Sequence, residues 1–144
     1  MKNKIGGLLI SKINFISGRV FTKLMKSTSR TNINHAQGKI LLALSLKNEM
    51  SINDLCIELS LSKSTLTSML DRLYLNGYIM KKTSDVDKRI TLVSITDKAI
   101  SEVNIYKNVV SQMEQIYYKD FTDKEIEDFE KYLKRIYKNL EEVC

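Results

Sequence analysis

The stretch SINDLCIELSLSKSTLTSMLDRLYLNG, residues 51–77, decides the fold of this chain. Ser51, with Asp54 three residues on, reads as a capping box for a short helix through Ser60, with Leu55, Ile57 and Leu59 as its apolar contacts. Ser62 can cap a second helix running to about Asn76. Gly77 stands where a left-handed C-terminal cap is wanted. The segment therefore reads as helix, tight turn, helix. On a wheel of about 100° per residue, Leu66, Met69, Leu70 and Leu73 gather on one side of the second helix and face a core. Ser64, Ser68 and Asp71 lie opposite, flanked by Thr67 on one side and by Thr65 and Arg72 on the other, with Lys63 and Arg72 near the margins.

Short hydroxyl side chains let a helix enter a DNA major groove, about 12 Å wide, without a clash. Hydroxyls and the helix N-terminus can hydrogen-bond phosphates, and Lys and Arg add charge complementarity. The same residues would also make an ordinary solvated helix face. The segment after the helix favours the groove. Residues 78–83 and 90–96 are short and rich in β-branched and aromatic types, and the polar turn Ser84-Asp85-Val86-Asp87-Lys88-Arg89 lies between them. This reads as a β-hairpin, and a hairpin directly after a helix-turn-helix is a wing. Lys88 and Arg89 are cations on its narrow loop, where an Arg can enter a minor groove of enhanced negative potential. Asp87, two residues before Arg89, can hold the guanidinium, although Asp85 and Asp87 also suit an ordinary charged turn. Lys81 and Lys82 on the rising strand lie within reach of phosphates.

Outward from this segment, helical periodicity dominates both ends. Ile5, Leu9, Ile13, Ile16, Val20 and Leu24 form one apolar stripe on a helix over residues 4–26. Residues 27–32 are polar and read as a loop. Asn34 caps the next helix with Gln37 as its partner, and that helix carries Ile40, Leu41, Leu44 and Leu46. Thr96 or Asp97 caps a fifth helix to about Lys119. Thr122-Asp123-Lys124-Glu125 is a capping box for a sixth, with Ile126, Phe129, Leu133, Ile136 and Leu140 on one face. The order is four helices, a hairpin and two helices: mainly α with a small β-hairpin wing.

Composition narrows the function classes. The chain has 144 residues, a net charge of +6 and no proline, with no low-complexity tract, repeat or linker, so one compact domain is expected. Residues 1–48 hold nine Lys/Arg and no acid, whereas residues 98–144 hold eight basic and ten acidic residues. A basic excess favours a polyanion partner, nucleic acid or an anionic membrane surface. No apolar run approaches the roughly 20 residues that span a bilayer, and Ser11, Lys12 and Asn14 interrupt the N-terminal one, so a cytoplasmic protein without a membrane partner is expected. Two cysteines, Cys56 and Cys144, are too few for a disulfide framework. One histidine and the absence of Cys-x-x-Cys argue against metal and cofactor, and no glycine-rich phosphate loop or triad is visible, so no catalytic residue is expected.

The ordered set of these motifs resembles the MarR family of winged helix-turn-helix transcriptional regulators. The resemblance covers residues 33–99. Ile33-Asn34-His35-Ala36-Gln37 with Ile40-Leu41 resembles the opening of the family's second helix, and Leu55-Cys56 with Leu59-Ser60-Leu61-Ser62 its turn. Ser64-Thr65-Leu66-Thr67, Leu70-Asp71-Arg72-Leu73 and Gly77-Tyr78-Ile79 resemble the recognition helix and its exit. Asp85-Val86-Asp87-Lys88-Arg89 resembles the wing signature, and Ile95-Thr96 its end. The resemblance implies a homodimer paired through the N- and C-terminal helices (about 1–32 and 98–144), a DNA-binding lobe (about 33–97), and repression relieved by a small, often phenolic, ligand or by cysteine oxidation. It implies DNA contacts from Ser62, Lys63, Ser64, Thr65, Thr67, Ser68 and Arg72 on the recognition helix, and from Arg89, held by Asp87, on the wing, to which the charge of the turn adds Lys88. A two-fold dimer would read a pseudo-palindromic double-stranded site. Ser68 departs from the Arg frequent there, Ala99 from a frequent Gly, and Cys56 from a frequent Ala.

Other readings compete. Cys56 suits a thiol-responsive regulator, but also a small buried residue of a helix. His35 suits a pH or ligand sensor, or a boundary residue. Tyr106, Tyr117, Tyr118, Tyr132 and Tyr137 suit an aromatic pocket, or at helical spacing a core or interface. A winged helix can also bind protein rather than DNA, and neutralising Lys63, Arg72 and Arg89 separates the two.

Overall fold

A computed structural model of the chain describes residues 2–28 and 33–144. The chain divides into two compact units, Met1–Val110 and Ser111–Cys144. The first contains α1 (Gly6–Thr28), α2 (His35–Lys47), β1 (Glu49–Ser51), α3 (Ile52–Leu59), α4 (Lys63–Leu75), β2 (Ile79–Thr83), β3 (Thr91–Ile95) and most of α5 (Asp97–Tyr117). The second contains the end of α5 and α6 (Asp123–Glu141). Helix α1 runs through Ser27 and Thr28, and the remainder of the expected loop, 29–32, lies outside the described residues.

The starts of α2, α3, α4 and α6 follow their caps. The Asn34 side chain accepts from Gln37 N at 2.9 Å, and Gln37 Oε1 accepts from Asn34 N at 3.1 Å, completing the expected box. Thr122 and Glu125 do the same for α6. At α3 the Ser51 hydroxyl accepts from Asp54 N at 3.0 Å. The α3–α4 turn is made without glycine: Ser60 takes a left-handed conformation (φ 53°) and Leu61 N donates to Cys56 O at 3.0 Å, a Schellman closure.

The sheet has the order β1-β3-β2, both pairs antiparallel. The hairpin β2–β3 is the expected wing. Strand β1 is an addition to the sequence reading, and it makes Val93 of β3 the partner of both Met50 and Lys81. Ile40, Leu41 and Leu44 of α2, Leu55 of α3, Leu66, Leu70 and Leu73 of α4 and Val93 are each at most 1% exposed. The apolar side of α4 is therefore core, as its wheel requires, and truncating one of these leucines to Ala would cost about 2–5 kcal/mol. Two apolar expectations are corrected: Ile57 is 78% and Leu46 70% exposed.

Phe21 of α1, His35 of α2 and Tyr106 of α5 stack as tilted rings, with centroids 4.4 Å (Phe21–His35) and 5.6 Å (Phe21–Tyr106) apart. Burial pushes the Tyr106 hydroxyl up to about 12. Gly38 lies directly under the Tyr106 ring. On α1, Leu8, Leu9, Ile13 and Ile16 stay exposed.

In the second unit, Tyr118 meets Phe121 and Phe129 edge-on and donates its hydroxyl to Glu130 at 3.1 Å. No residue of α6 is buried, and Phe129, Leu133, Ile136 and Leu140 form an exposed stripe. Among the described residues, no helix is long and apolar enough to cross a membrane, and no cluster of His, Cys, Asp and Glu could hold a metal ion.

Candidate nucleic-acid interface

Helix α4 presents its polar face from a firmly capped start. The Ser62 side chain accepts from Thr65 N at 3.3 Å and donates to Thr65 Oγ1 at 2.9 Å, with Ser64 Oγ 3.4 Å away. The first turn therefore combines hydroxyls with the outward backbone N–H groups of a helix N-terminus, which suits an anionic oxygen. Ser62, Lys63, Ser64, Thr65, Ser68 and Arg72 are exposed, whereas Thr67 is half-buried. Ser64, Thr65, Ser68 and Arg72 line one shallow groove with Asn34 and Gln37 of the α2 start. Among the described residues, Lys63, Arg72 and Lys88 make no ion pair.

The other flank of α4 is tied to the wing. Asp71 accepts from Lys81 Nζ of β2 at 2.8 Å, and the same ammonium lies 5.3 Å from the Tyr74 ring centroid. Lys82 pairs with Glu49 of β1 at 3.1 Å. These two lysines, read from the sequence as reaching phosphates, are engaged within the lobe.

The wing turn is rigidly built. Ser84 N donates to Ile90 O at 2.9 Å, and Ile90 N to Asp87 O at 3.0 Å. The Ser84 hydroxyl accepts from Val86 N and Asp87 N at 3.2 and 3.3 Å. Asp87 Oδ1 accepts from Arg89 N (3.0 Å) and Nε (3.1 Å), and Oδ2 from Nη2 (2.9 Å). The Arg89 side-chain bonds hold the Asp87 carboxyl below the usual carboxylate range, with its backbone N–H adding to the effect. The guanidinium is thus oriented while its side chain stays 89% exposed. Val86, which the sequence reading passed over, is 98% exposed at the tip.

The exit of α4 closes on Gly77 (φ 77°), with Tyr78 N donating to Leu73 O at 3.0 Å. Two side chains from much later in the chain hold this exit. Thr96 Oγ1 donates to Gly77 O, and Lys98 Nζ to Asn76 O, each at 2.6 Å. Sequence spacing gives no signal for these partners, because they lie 19 and 22 residues apart.

The remaining candidates disperse. Cys56 is half-buried and Cys144 exposed. Tyr106 is buried in the first unit, while Tyr117, Tyr132 and Tyr137 are exposed in the second. The His35 Nδ1 lies 3.4 Å from the Tyr106 hydroxyl.

Residues 33–91 match the MarR family. The chain is 33% identical over 84 residues to the organic hydroperoxide resistance transcriptional regulator of Bacillus subtilis, covering 58% of this chain and 57% of that protein. It is 29% identical over 93 residues to the HTH-type transcriptional regulator BilQ of Clostridioides difficile, covering 65% and 63%. The chain thus spans less than two thirds of the length of these two relatives. A mutant MarR from E. coli, solved in complex with operator DNA, superposes with a TM-score of 0.80 at 27% identity, covering 90% of this chain and 91% of that one. Over residues 33–91 the chain is thus similar to the MarR family, and its fold is the winged helix-turn-helix of the MarR structures.

Proposed function

We propose that the chain is a sequence-specific double-stranded-DNA-binding repressor acting as a homodimer. Helix α4 enters the major groove, and the β2–β3 wing approaches the adjacent minor groove. The observation that carries this reading is the pairing of two prepared elements on one lobe. One is a capped helix start with an exposed hydroxyl and cation face, and the other is a guanidinium fixed by two bonds to Asp87, which also accepts from the Arg89 backbone N–H, and presented on a narrow loop. The contacts are Ser62, Lys63, Ser64, Thr65, Thr67, Ser68, Arg72, Lys88 and Arg89, with Asp87 as the residue that holds Arg89.

Residues 33–97 form the DNA-binding lobe, and 1–32 with 98–144 the pairing region. The exposed apolar stripes of α1 and α6 support pairing, since water contact along both is unfavourable. Such a protein works where the chromosome is, in the cytoplasm. Release by a small, phenolic-type molecule follows from the family resemblance and can be read in the same assay.

The test is fluorescence anisotropy of labelled DNA from the protein's own upstream region and from a random-sequence selection, across a salt series, with scrambled DNA as control. Specific affinity with a steep salt slope is expected. The triple variant Lys63→Ala/Arg72→Ala/Arg89→Ala should lose it. Absence of binding to any DNA at low salt would replace this reading with a protein-binding winged helix.

A further inference from the structure

We propose that Lys98 is a positioning residue for DNA readout: from the start of α5 it clamps the exit of the recognition helix α4 and so sets where the N-terminal half of that helix lies. The proposal rests on the DNA-binding reading above.

Asn76 caps the C-terminus of α4. Its carbonyl belongs to the helix-end set that lacks intrahelical donors and carries the negative end of the helix dipole. The Lys98 ammonium donates to that carbonyl at 2.6 Å, a charge-assisted bond. The same ammonium lies 4.7 Å from the centroid of the Tyr78 ring, just past the exit turn. The side chain passes close to Gly77: a Cβ built there would be 3.8 Å from both Cδ and Nζ of Lys98. The adjacent carbonyl, of Gly77, is taken by Thr96 at 2.6 Å. Two consecutive carbonyls at the end of the recognition helix are therefore bound by side chains at the head of another helix. One turn further along α5, a Glu102 carboxylate oxygen is buried with no hydrogen-bond partner among the described residues, and its charge favours a cation kept nearby.

A 13-residue helix is about 20 Å long. Tilting it by about 10° at its exit moves its start by about 3 Å. That is close to the roughly 3.4 Å between successive bases, so a loose exit would blur which edges Ser64, Thr65 and Ser68 meet. Lys98 is used internally and does not neutralise a phosphate. Its removal should therefore affect discrimination rather than charge-driven binding.

The experiment compares full-length wild type, Lys98→Met and Lys98→Arg on DNA selected from a random pool by the wild type and on scrambled DNA, across a salt series. Lys98→Met keeps the aliphatic packing and removes the donor. It should lose about tenfold on the selected DNA, with binding to scrambled DNA and the salt slope unchanged, and Lys98→Arg should recover most of the loss. Without DNA, amide exchange at residues 75–78 should speed up in Lys98→Met. If that variant fails to fold, Lys98→Gln, a donor without charge, should show a smaller loss of the same kind. An equal loss on both DNAs with a salt slope lower by about one would identify a phosphate contact and overturn the proposal, as would an unchanged ratio. A wild type that selects no DNA defeats the underlying reading and the proposal together, whereas a selective wild type with an unaffected variant defeats the proposal alone.

Discussion

Gly38→Ala isolates a packing claim on which the first unit depends. Gly38 lies inside α2, where exchanging Gly for Ala ordinarily stabilises a helix by about 1 kcal/mol. Here an added Cβ would fall within 2.9 Å of Tyr106 Cγ, and nearer still to two other ring atoms. The ring has little room to yield, being 3% exposed with Phe21 at 5.6 Å and His35 at 5.8 Å between centroids. Overpacking of this kind costs about 1–3 kcal/mol beyond what relaxation absorbs, and a rigid aromatic neighbour puts it at the upper end. The net expectation is a loss of about 1–2 kcal/mol, or a Tm lower by roughly 4–8 °C. Thermal unfolding should be followed at fixed protomer concentration, since pairing contributes to stability. Tyr106→Leu provides the second arm: in that background the same Ala should become neutral or stabilising, giving a coupling of about 2 kcal/mol in the double-mutant cycle. A higher Tm for Gly38→Ala alone, or strict additivity, would refute the claim that α2 and α5 meet through this contact.

Further perturbations test the wing, the α4 cap and the ring cluster. Asp87→Ala raises the net positive charge yet should weaken specific DNA binding severalfold, because the guanidinium of Arg89 loses both its bonds and the Arg89 backbone N–H a third; tighter specific binding would show that charge alone governs the wing. Ser62→Ala should cost about 1 kcal/mol through loss of the α4 cap, and Ser62→Gly only a few tenths; equal denaturation midpoints for wild type and Ser62→Ala would refute a capping role. His35 is held below its ordinary value, first by burial against its ring neighbours and then by the charge of Lys39. The unfolded chain then binds the proton more readily than the native one, so the His35 contribution is present above the ordinary value of 6.5 and is lost as pH falls through the lower folded value. Denaturant midpoints of wild type and His35→Gln should diverge across that window, and parallel curves would contradict it.

Most helices were legible because their caps and apolar spacing are local. Asn34 with Gln37, and Thr122 with Glu125, mark their helix starts within four residues. The errors share a physical cause. Ile57 is two residues, about 200°, around the helix from Leu55, so an eight-residue α3 cannot bury both, and apolar type alone misplaced Ile57. Strand β1 has three residues, too few for alternation, and exists because Met50 pairs with Val93 more than forty positions later. The α3–α4 turn carries no glycine, since Ser60 itself accepts the left-handed conformation.

The candidate site was legible in its residue types but not in how its charges are used. Lys81, Lys82, Lys88, Arg89 and Lys98 look equivalent in sequence, as cations near a hairpin. The fold gives them different roles. Lys81 joins Asp71 and the Tyr74 ring, so it ties the recognition helix to the wing. Lys82 joins Glu49 of β1. Lys98 caps the helix exit. Arg89 is oriented by a carboxylate yet points into solvent, and Lys88 remains exposed without an ion pair among the described residues. A cation held within the lobe fixes geometry and adds little to counterion release, while an exposed one adds to both affinity and salt slope. Neutralising Lys81 or Lys98 should therefore change discrimination between DNA sequences, and neutralising Lys88 should change the salt slope. The two groups differ by partners ten or more residues away, which periodicity along the chain cannot reveal.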